Sequence, residues 1–523
     1  MAIPPTATNG LNGVATPKTT LNRAAEVEDL IDAVKSLITP YIQAADDASS
    51  TRATGGNTSS AETNGATSRN VLVEAHSPKA LVERLAFSLP QKEGRGRSGL
   101  LETIEGVLKY SVNTWDQGFL DKLYSSTNAV WVFTTSGFLI NVHIYTVSPA
   151  LTLIEKSTAK SLAQLFGFTG PRAGGVTCQG GSSSNLTSLV IARNTLYPAT
   201  KTDGNGAHAF VAFTSAHGHY SVEKAATTIG LGSKSVVTIP VDASGRMIPS
   251  ALRNAIVTAR DAGKTPLYVN ATAGTTVLGS YDPFEDISAI CREFGLWMHI
   301  DASWGGSAVF STAQRHKLGG AGLADSITVN PHKMMNVPLT CSFLLTNDVS
   351  VFHRANTLPA GYLFHENGED EGAEEKEFWD LADLTLQCGR RGDALKLALA
   401  WIYYGATGFE QQVDHAFAMA SHLATLIQEH PEFELVSSNP PPCLQVCFYY
   451  APGGQVAEDK AENTRRTSEM VRRLVARGFM VDYSPGERGS FFRVVVNCQT
   501  LPGTVEGLVK ALEGVGKDVV SRE

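Results

Sequence analysis

A lysine placed directly after a predicted buried strand is the first residue whose position suggests chemistry. Lys333 ends the segment NPHK (330–333), which follows the predicted strand Ser326–Val329. Burial lowers the pKa of an amine, and the neutral amine is a nucleophile towards an aldehyde. By itself, a lysine at a strand end is more often a salt-bridge partner than the site of a covalent bond. Three further segments bear on which role applies.

An aspartate at the end of another predicted strand supplies an acid. Asp301 follows the strand 296–300 and begins the segment DASWGG (301–306). The small residues after it leave room for a flat ring to approach the backbone. The carboxylate can keep a pyridine nitrogen protonated, as an electron-accepting cofactor requires. The same aspartate could instead cap the following turn.

A segment rich in glycine and serine suggests a phosphate site. The residues QGGSSSN (179–185), which include Gly181 and Ser182, precede the predicted helix 186–194. Free backbone N–H groups and the positive end of the helix dipole attract a phosphate at such a position. The signal is weak when taken alone, because any serine-rich helix start has this composition.

Two histidines lie between a predicted strand, 209–214, and the predicted helix after it. They are His217 and His219, in the segment SAHGHYS (215–221). The H-x-H spacing would suit zinc, but no third ligand is near in sequence. An imidazole stacked on a cofactor ring suits a strand end better. Together with the lysine, the aspartate and the phosphate segment, this histidine describes a pyridoxal-phosphate site.

The elements that must position these residues alternate between strands and helices from about residue 126 to 395. The predicted strands are 209–214, 235–240, 267–271, 296–300, Ser326–Val329 and 342–345, and the predicted helices are 221–229, 249–262 and Phe284–Phe294. This alternation predicts an α/β fold with a mostly parallel sheet, covered by helices on both faces, and chemistry at the carboxyl ends of the strands. Helices at 395–404 and 409–430, strands at 443–449 and 491–497, and a helix near 467–477 predict a smaller α+β domain after residue 396.

Four regions follow from this organisation. Residues 1–70 are predicted to be a flexible extension with one amphipathic helix at 27–38, followed by a Ser/Thr/Gly/Asn-rich linker at 46–69. Residues 71–125 are predicted to pack on the dimer. Residues 126–395 form the predicted large pyridoxal-phosphate-binding domain, and residues 396–523 form the small C-terminal domain.

Length and composition exclude several classes of protein. A chain of 523 residues with 43% hydrophobic residues can build several packed domains. A net charge of −8 and the lack of a basic tract argue against nucleic-acid binding, and no apolar stretch is long enough to span a membrane. Seven cysteines without a C-x-x-C pair suggest reduced thiols in a cytoplasmic enzyme without a metal site. The start does not look like a secretory signal, but it lacks acids before Glu26, which leaves a transit peptide open.

The chain resembles the group II pyridoxal-phosphate-dependent decarboxylases, and within them the animal-type glutamate, cysteine-sulfinate and aspartate decarboxylases. The likeness extends over residues 75–515. Its motifs are RMIPS (246–250), ATAGTT (271–276), WMHID (297–301), NPHKMM (330–335), GYLF (361–364), QCGR (387–390) and FFR (491–493). So many motifs in the same order make chance agreement implausible. The resemblance implies the type I pyridoxal-phosphate fold, similar to aspartate aminotransferase, and a homodimer with its sites at the interface.

The resemblance also implies roles for individual residues. Lys333 matches the lysine that holds the cofactor through its aldehyde, Asp301 the partner of the ring nitrogen, and His219 the histidine stacked on the ring. Tyr362 matches the loop tyrosine that returns a proton to the substrate carbon after carbon dioxide leaves, and Arg493 the arginine that binds a substrate carboxylate. The remaining positions that match the cofactor site are Gly181, Ser182, Thr276, Asn330 and His332, and Ser303 stands against the ring where the family has an alanine.

Departures from the family pattern concern the substrate. The segment FLDKLY (119–124) places Lys122 where acidic-substrate relatives carry a glutamine facing the far end of the substrate. An ammonium there could bind a distal carboxylate or sulfinate, or it could pair with Asp121 or face water. Tyr124 resembles the bulky residue of the aspartate and cysteine-sulfinate branch and favours a substrate shorter than glutamate. An acidic run at 366–375 follows the loop tyrosine and is either a solvated face or a surface that repels anionic substrates.

The expected function is therefore decarboxylation of an acidic L-amino acid (aspartate, cysteine sulfinate or glutamate) to an amine and carbon dioxide. Two alternatives remain at this point: an aromatic L-amino acid decarboxylase, and an aldehyde-forming or transaminating relative. Tyr362 argues against the second, because that chemistry usually accompanies loss of the loop tyrosine. Intact Lys333, Asp301, His219 and Arg493 argue against an inactive binding or scaffold protein.

Overall fold

The computed structural model describes residues 23–53, 59–60, 69–70, 74, 76–113, 115, 145–358 and 377–521. Their contacts group into two compact units. One is Glu28–Asp414, and the other is His415–Glu523 together with the residues up to Val27. The change of unit lies inside the helix Ala394–Glu429, somewhat later than the predicted boundary at residue 395. The division into four regions stays a prediction.

A seven-stranded sheet among the described residues is the frame of the larger unit. Its strands are β3 (Gly174–Cys178), β4 (Phe210–Ser215), β5 (Val236–Ile239), β6 (Thr265–Thr272), β7 (Trp297–Ala302), β8 (Ser326–Val329) and β9 (Ser342–Thr346); a separate pair consists of β1 (Ser59–Ser60) and β2 (Arg69–Asn70). The spatial order is β3-β9-β8-β7-β6-β4-β5. Strands β5, β4, β6, β7 and β8 run parallel, whereas β9 is antiparallel to both β8 and β3. The predicted mostly parallel α/β sheet is confirmed.

The register of the parallel strands brings their carboxyl ends together. Asp301 on β7 pairs with Thr272 on β6 and with Thr328 on β8. The six residues of β7 are all buried, as expected for a central strand covered on both faces. Residues that follow β6, β7 and β8 in the sequence therefore meet along one edge of the sheet.

Helices surround this sheet. In the larger unit they are Pro78–Leu85, Gly96–Tyr110, Pro149–Leu165, Gly181–Leu196, Thr200–Asp203, Ser221–Thr228, Pro249–Asp261, Phe284–Phe294, Ser350–Asn356 and the first part of Ala394–Glu429. Gly181–Leu196 packs across β6, β7, β8 and β9, and Pro149–Leu165 packs on β3 and β9. The long helix is interrupted at Gly405, which has φ 70°, and this agrees with the two helices predicted there.

The smaller unit contains a four-stranded antiparallel sheet among its described residues. Its strands are β10 (Phe433–Leu435), β11 (Gln445–Tyr450), β12 (Asp482–Ser484) and β13 (Phe491–Val495), in the order β10-β11-β13-β12. The helices Lys460–Leu474 and Pro502–Val520 complete it. Strands were predicted at 443–449 and 491–497, and both are found with slightly shifted ends.

The N-terminal helix is longer than predicted. It runs through Arg23–Ala53 and includes Pro40, so residues 46–53, which we predicted to begin a flexible linker, are helical. Alanines on its inner side allow close packing, since Ala33, Ala45 and Ala48 are buried. Among the described residues no helix is long and apolar enough to cross a membrane.

Candidate active site

A cavity of about 270 Å³ lies where the carboxyl ends of the parallel strands meet. Every residue predicted to contact the cofactor lines it. These residues are Gly181, Ser182, His219, Thr276, Asp301, Ser303, Asn330, His332 and Lys333. They come from the segments after β3, β4, β6, β7 and β8, so the fold itself assembles residues that are distant in sequence.

Lys333 lies on the connection between β8 and the antiparallel strand β9. Its own N–H donates to the carbonyl of Asn330 at 2.9 Å, and its carbonyl accepts from Asn336 at 3.3 Å. The Nδ1 of His332 donates to the carbonyl of Cys341 at 2.6 Å, which ties the start of the connection to its end. The side chain of Lys333 lines the cavity and is exposed in the single chain. The protein atoms around its amine partly remove it from water, which lowers the pKa of Lys333, and the charge of Asp301 only partly opposes this effect.

Asp301 is buried and strongly hydrogen-bonded. Its Oδ1 accepts from the N–H of Ser303 at 3.0 Å, and its Oδ2 accepts from Nδ2 of Asn185 at 2.8 Å. Burial alone would raise the pKa of Asp301, but the hydrogen bonds from Ser303 and Asn185 and the positive charge of Lys333 outweigh it, and the pKa lies below its usual value. The carboxylate is therefore ionised at neutral pH.

The start of the helix Gly181–Leu196 forms the predicted phosphate end of the cavity. Gly180 precedes the helix with φ 92°, a conformation that favours glycine. A Cβ atom on Gly181 would lie 2.5 Å from Oγ of Ser303 and 2.8 Å from Nδ2 of Asn330, so any larger residue would fill the cavity. The first N–H groups of a helix have no partner within the helix and can bind an anion.

His219 lies in the turn after β4. Its Nδ1 accepts a hydrogen bond from the backbone N–H of Ser221 at 3.2 Å, so in the neutral ring the proton is on Nε2. Burial lowers the pKa of His219, which favours the neutral form. The ring is therefore a neutral, oriented surface, as stacking on a cofactor requires.

Several buried polar atoms around the cavity have no hydrogen-bond partner among the described residues. They are Oγ1 of Thr272, Oγ of Ser303 and Oδ1 of Asn330. An unpaired buried polar group is costly, so these atoms indicate a polar ligand. With the ionised Asp301, the deprotonatable Lys333 and the helix start, they fit a phosphorylated pyridine aldehyde.

Some predicted residues cannot be located in this cavity. Lys122, Tyr124 and Tyr362, with the acidic run at 366–375, lie outside the described residues, and their roles stay predictions. Arg493 lies on β13 in the smaller unit, where its Nη2 is 2.7 Å from Oδ2 of Asp482. Its predicted contact with a substrate carboxylate also stays a prediction.

The structure adds lining residues that the sequence analysis did not assign. They are Asn185, Tyr220, Thr272, Gly274 and Trp304. Asn185 belongs to the serine-rich segment noted above, but its bond to Asp301 depends on how the helix packs on the sheet. Spacing along the chain carries no signal for that contact.

The same part of the chain matches a known family. Residues 78–451 match the model described as the pyridoxal-dependent decarboxylase conserved domain. The chain belongs to the pyridoxal-dependent decarboxylases. Relatives of this decarboxylase include an L-aspartate decarboxylase of Metarhizium robertsii, 60% identical over 507 residues, which are 96% of this chain and 99% of that protein. A glutamate decarboxylase-like protein of Gibberella zeae is 39% identical over 477 residues, which are 84% of this chain and 92% of that protein.

Solved structures agree with this membership. The crystal structure of mouse CSAD is 32% identical, covers 94% of this decarboxylase and 99% of its own chain, and has a TM-score of 0.67. The structure of Oryza sativa TDC with PLP and tryptamine has a TM-score of 0.68 at 22% identity, with 96% and 100% of the two chains covered, and shows the fold alone. The predicted family and type I fold are confirmed: the protein is a carboxy-lyase whose cofactor is pyridoxal phosphate. Among the described residues no group of three or more His, Cys, Asp or Glu side chains could hold a metal ion.

Proposed function

We propose that this decarboxylase removes the α-carboxylate of an acidic L-amino acid, and that its preferred substrate is L-aspartate. The products would be carbon dioxide and the amine that keeps the distal carboxylate, 3-aminopropanoate. One observation carries the choice of aspartate: the relative that is 60% identical over 96% of this chain is an L-aspartate decarboxylase. The cavity supports the chemistry, because it unites an amine, a carboxylate and an anion-binding helix start in one site.

The cofactor would be held at three points. Lys333 would bind its aldehyde covalently, and its lowered pKa favours the neutral amine that this bond needs. The N–H groups at Gly181 and Ser182, together with His332, would bind the phosphate. The Asp301 carboxylate would accept a hydrogen bond from the ring nitrogen and keep it protonated, and His219 would stack on the ring. Thr276, Ser303 and Asn330 complete the contacts.

The bound cofactor supplies an electron-poor ring that takes up the electron pair of the broken carbon–carbon bond. The residues of the chain orient that bond and manage protons. Arg493 would bind the α-carboxylate of the substrate and orient it, as the resemblance implies. Tyr362 donates a proton to the substrate carbon after carbon dioxide has left. Asp301 would remain ionised throughout, because a proton on its carboxylate would leave the protonated ring nitrogen without a negatively charged partner.

Selection among acidic substrates would depend on Lys122 and Tyr124. The ammonium of Lys122 pairs with the distal carboxylate, and charge-assisted contacts of this kind are strong where water is excluded. The bulk of Tyr124 favours the shorter side chain of aspartate over glutamate. Both assignments rest on the resemblance to acidic-substrate decarboxylases.

Carbon dioxide release from a panel of amino acids tests the proposal. The purified holoenzyme is assayed with aspartate, cysteine sulfinate, glutamate, tyrosine and tryptophan at several concentrations. We expect the highest kcat/KM for aspartate and negligible values for the two aromatic substrates. A preference for tyrosine or tryptophan would overturn the acidic-substrate assignment while leaving the decarboxylase chemistry intact.

We further propose a homodimer located in the cytoplasm. Large apolar side chains that are exposed in the single chain support the dimer, since Ile31 is 60% exposed, Leu339 74% and Leu358 63%. The seven cysteines are free, and six of them are buried, which suits a reducing compartment. Sedimentation equilibrium tests the dimer, and microscopy of the chain tagged at its C-terminus tests the location.

A further inference from the structure

A chain of buried hydrogen bonds leads from Asp301 away from the cavity into the core. Oδ2 of Asp301 is 2.8 Å from Nδ2 of Asn185, and Oδ1 of Asn185 is 3.1 Å from Nε2 of His299. On the other side of the ring, Nδ1 of His299 is 2.8 Å from Oγ of Ser326. Trp297 ends the chain, because its Nε1 donates to the same Oγ at 2.9 Å.

The fold explains why these residues meet. His299 and Asp301 are two residues apart on β7, so both side chains point to the same face of the sheet. The helix Gly181–Leu196, which carries Asn185, packs against β7. Ser326 is the register partner of His299 on the neighbouring strand β8.

The residues of this hydrogen-bond chain are buried. The exposed fraction is 2% for Asn185, 0% for His299, 4% for Asp301 and 0% for Ser326. Hydrogen bonds in such surroundings are strong, and an unpaired member would be costly. Each polar atom must therefore find its partner within the protein.

The partners determine where the hydrogens lie. Nδ2 of Asn185 donates to Asp301 and also to Oγ of Ser221 at 2.9 Å, so both of its hydrogens are used. The remaining Oδ1 can only accept, which makes Nε2 of His299 the donor. Burial lowers the pKa of His299 to about 4, so the ring is neutral and its Nδ1 accepts from the Ser326 hydroxyl. Every donor in the chain points towards Asp301.

We propose that His299 is a positioning residue for the decarboxylation, which acts through Asn185 to keep the Asp301 carboxylate ionised and aimed at the cofactor ring nitrogen. His299 does not line the cavity and touches no reacting group. Its Nε2–H fixes the amide of Asn185 in the orientation that donates to Asp301. This inference rests on the proposed contact between Asp301 and the ring nitrogen.

The matched variants come from the same buried cluster. His299→Leu removes both ring nitrogens, while His299→Gln restores an N–H donor near the position of Nε2. Tyr268→Phe is the control. The Tyr268 hydroxyl is buried and bonds Oγ of Ser188 at 2.8 Å, and Ser188 reaches the chain only at its end far from Asp301, where its Oγ is 3.4 Å from Oγ of Ser326. The Tyr268 ring stacks against His299 at 5.8 Å.

The decisive measurement is the ¹⁵N chemical shift of the ring nitrogen in holoenzyme reconstituted with ¹⁵N-labelled pyridoxal phosphate. We expect His299→Leu to move this signal towards that of the unprotonated ring and to lower kcat roughly tenfold to hundredfold with little change in KM. His299→Gln should recover most of both values. Tyr268→Phe should leave the signal in place even if it lowers thermal stability.

The variant Asp301→Asn distinguishes failure of the proposed role of Asp301 from failure of the inference about His299. If Asp301→Asn leaves the ¹⁵N signal unchanged, the assigned role of Asp301 fails and the inference fails with it. If Asp301→Asn shifts the signal and His299→Leu does not, His299 is only a core residue and the inference alone is overturned. Should His299→Leu not fold, Ser326→Ala replaces it, since loss of the hydroxyl frees Nδ1 and should shift the signal in the same direction by a smaller amount. An unshifted signal in Ser326→Ala would then overturn the inference in the same way.

Discussion

Glu155 and Arg390 lie 235 residues apart in the sequence and form an ion pair of 2.8 Å in which both side chains are buried. Thr177 on β3 joins them. Its N–H and its hydroxyl donate to Glu155 at 2.8 and 2.9 Å, and its carbonyl accepts from Arg390 at 2.9 Å. Because β3 leads directly to Gly180 and the helix start, this pair holds the strand end that carries the anion-binding part of the cavity.

Removal of one member of this pair should be strongly destabilising. Arg390→Met leaves a buried, unpaired carboxylate, which we expect to cost about 3–5 kcal/mol and to weaken cofactor binding as well. The surface pair of Arg172 and Asp348, at 2.8 Å, supplies the control, and Arg172→Met should cost less than about 1 kcal/mol. Urea midpoints followed by tryptophan fluorescence, with cofactor titration of each apoenzyme, measure both effects. Similar losses of stability in Arg390→Met and Arg172→Met would show that burial does not make the Arg390 pair more important than a surface pair.

Lys333→Ala should abolish covalent attachment of the cofactor. After borohydride reduction, mass spectrometry of the wild type should find the cofactor on the peptide that contains Lys333 and on no other lysine. The variant should lose this adduct and essentially all carbon dioxide release, because no other amine lines the cavity among the described residues. Lys264→Ala, at an exposed position, is the control and should keep both properties. An adduct of unchanged yield in Lys333→Ala would place the attachment elsewhere.

Tyr362→Phe should divert the reaction rather than stop it. Carbon dioxide would still leave, but the substrate carbon would be protonated slowly, which would allow time for dissolved oxygen to oxidise it. We expect a carbonyl product and ammonia to appear at the expense of the amine. Product analysis by chromatography checks this, with Tyr197→Phe, which lies among His208 and Phe210, as the control. An unchanged yield of amine would point to another donor, with His219 the first candidate.

Lys122→Gln should weaken acidic substrates selectively. Loss of the proposed charge-assisted contact should lower kcat/KM for aspartate roughly tenfold to hundredfold. Asparagine, the neutral isostere, should be affected much less. Lys109→Gln removes another lysine, 3.8 Å from Glu74 on the surface, and should change neither value. Equal losses for aspartate and asparagine would count against the contact between Lys122 and the distal acid.

Stability should depend on pH through Asp282. Burial raises the pKa of Asp282 to about 6, although its oxygens accept from the N–H groups of Met247 and Thr272 at 2.7 and 2.8 Å. Because the folded pKa lies above the unfolded one, the folded state binds the proton more tightly, and this contribution to stability is lost as the pH rises from about 4 through 6. The thermal midpoint of the wild type should therefore fall relative to that of Asp282→Asn as the pH rises across that range. Parallel plots of thermal midpoint against pH for the wild type and Asp282→Asn would show that Asp282 does not titrate in this pH range.

The sequence predicted the elements whose pattern is local. The strands β4 to β9 show apolar runs between turn residues, and each was found within two residues of its predicted ends. Strand β3 was missed, because Gly174 and Gly175 supply no apolar side chains to mark it. The residues predicted to contact the cofactor line one cavity, since a parallel sheet brings strand ends together, and their contacts with the cofactor stay predictions. The bonds of Asn185 and His299 could not be predicted, because they arise where a helix packs on a sheet.

The antiparallel direction of β9 restricts the backbone that carries the Lys333 amine. In a parallel crossover the segment after β8 would run into a helix, but here it returns at once to the neighbouring strand and is tied across by His332 and Cys341. The backbone that carries Lys333 is therefore anchored at both ends over a short span. If Lys333 binds the cofactor aldehyde as proposed, transfer of the cofactor to the substrate amine would need movement of the Lys333 side chain alone. The Lys333 amine would then stay near the same carbon and could displace the product amine without any rearrangement of the backbone.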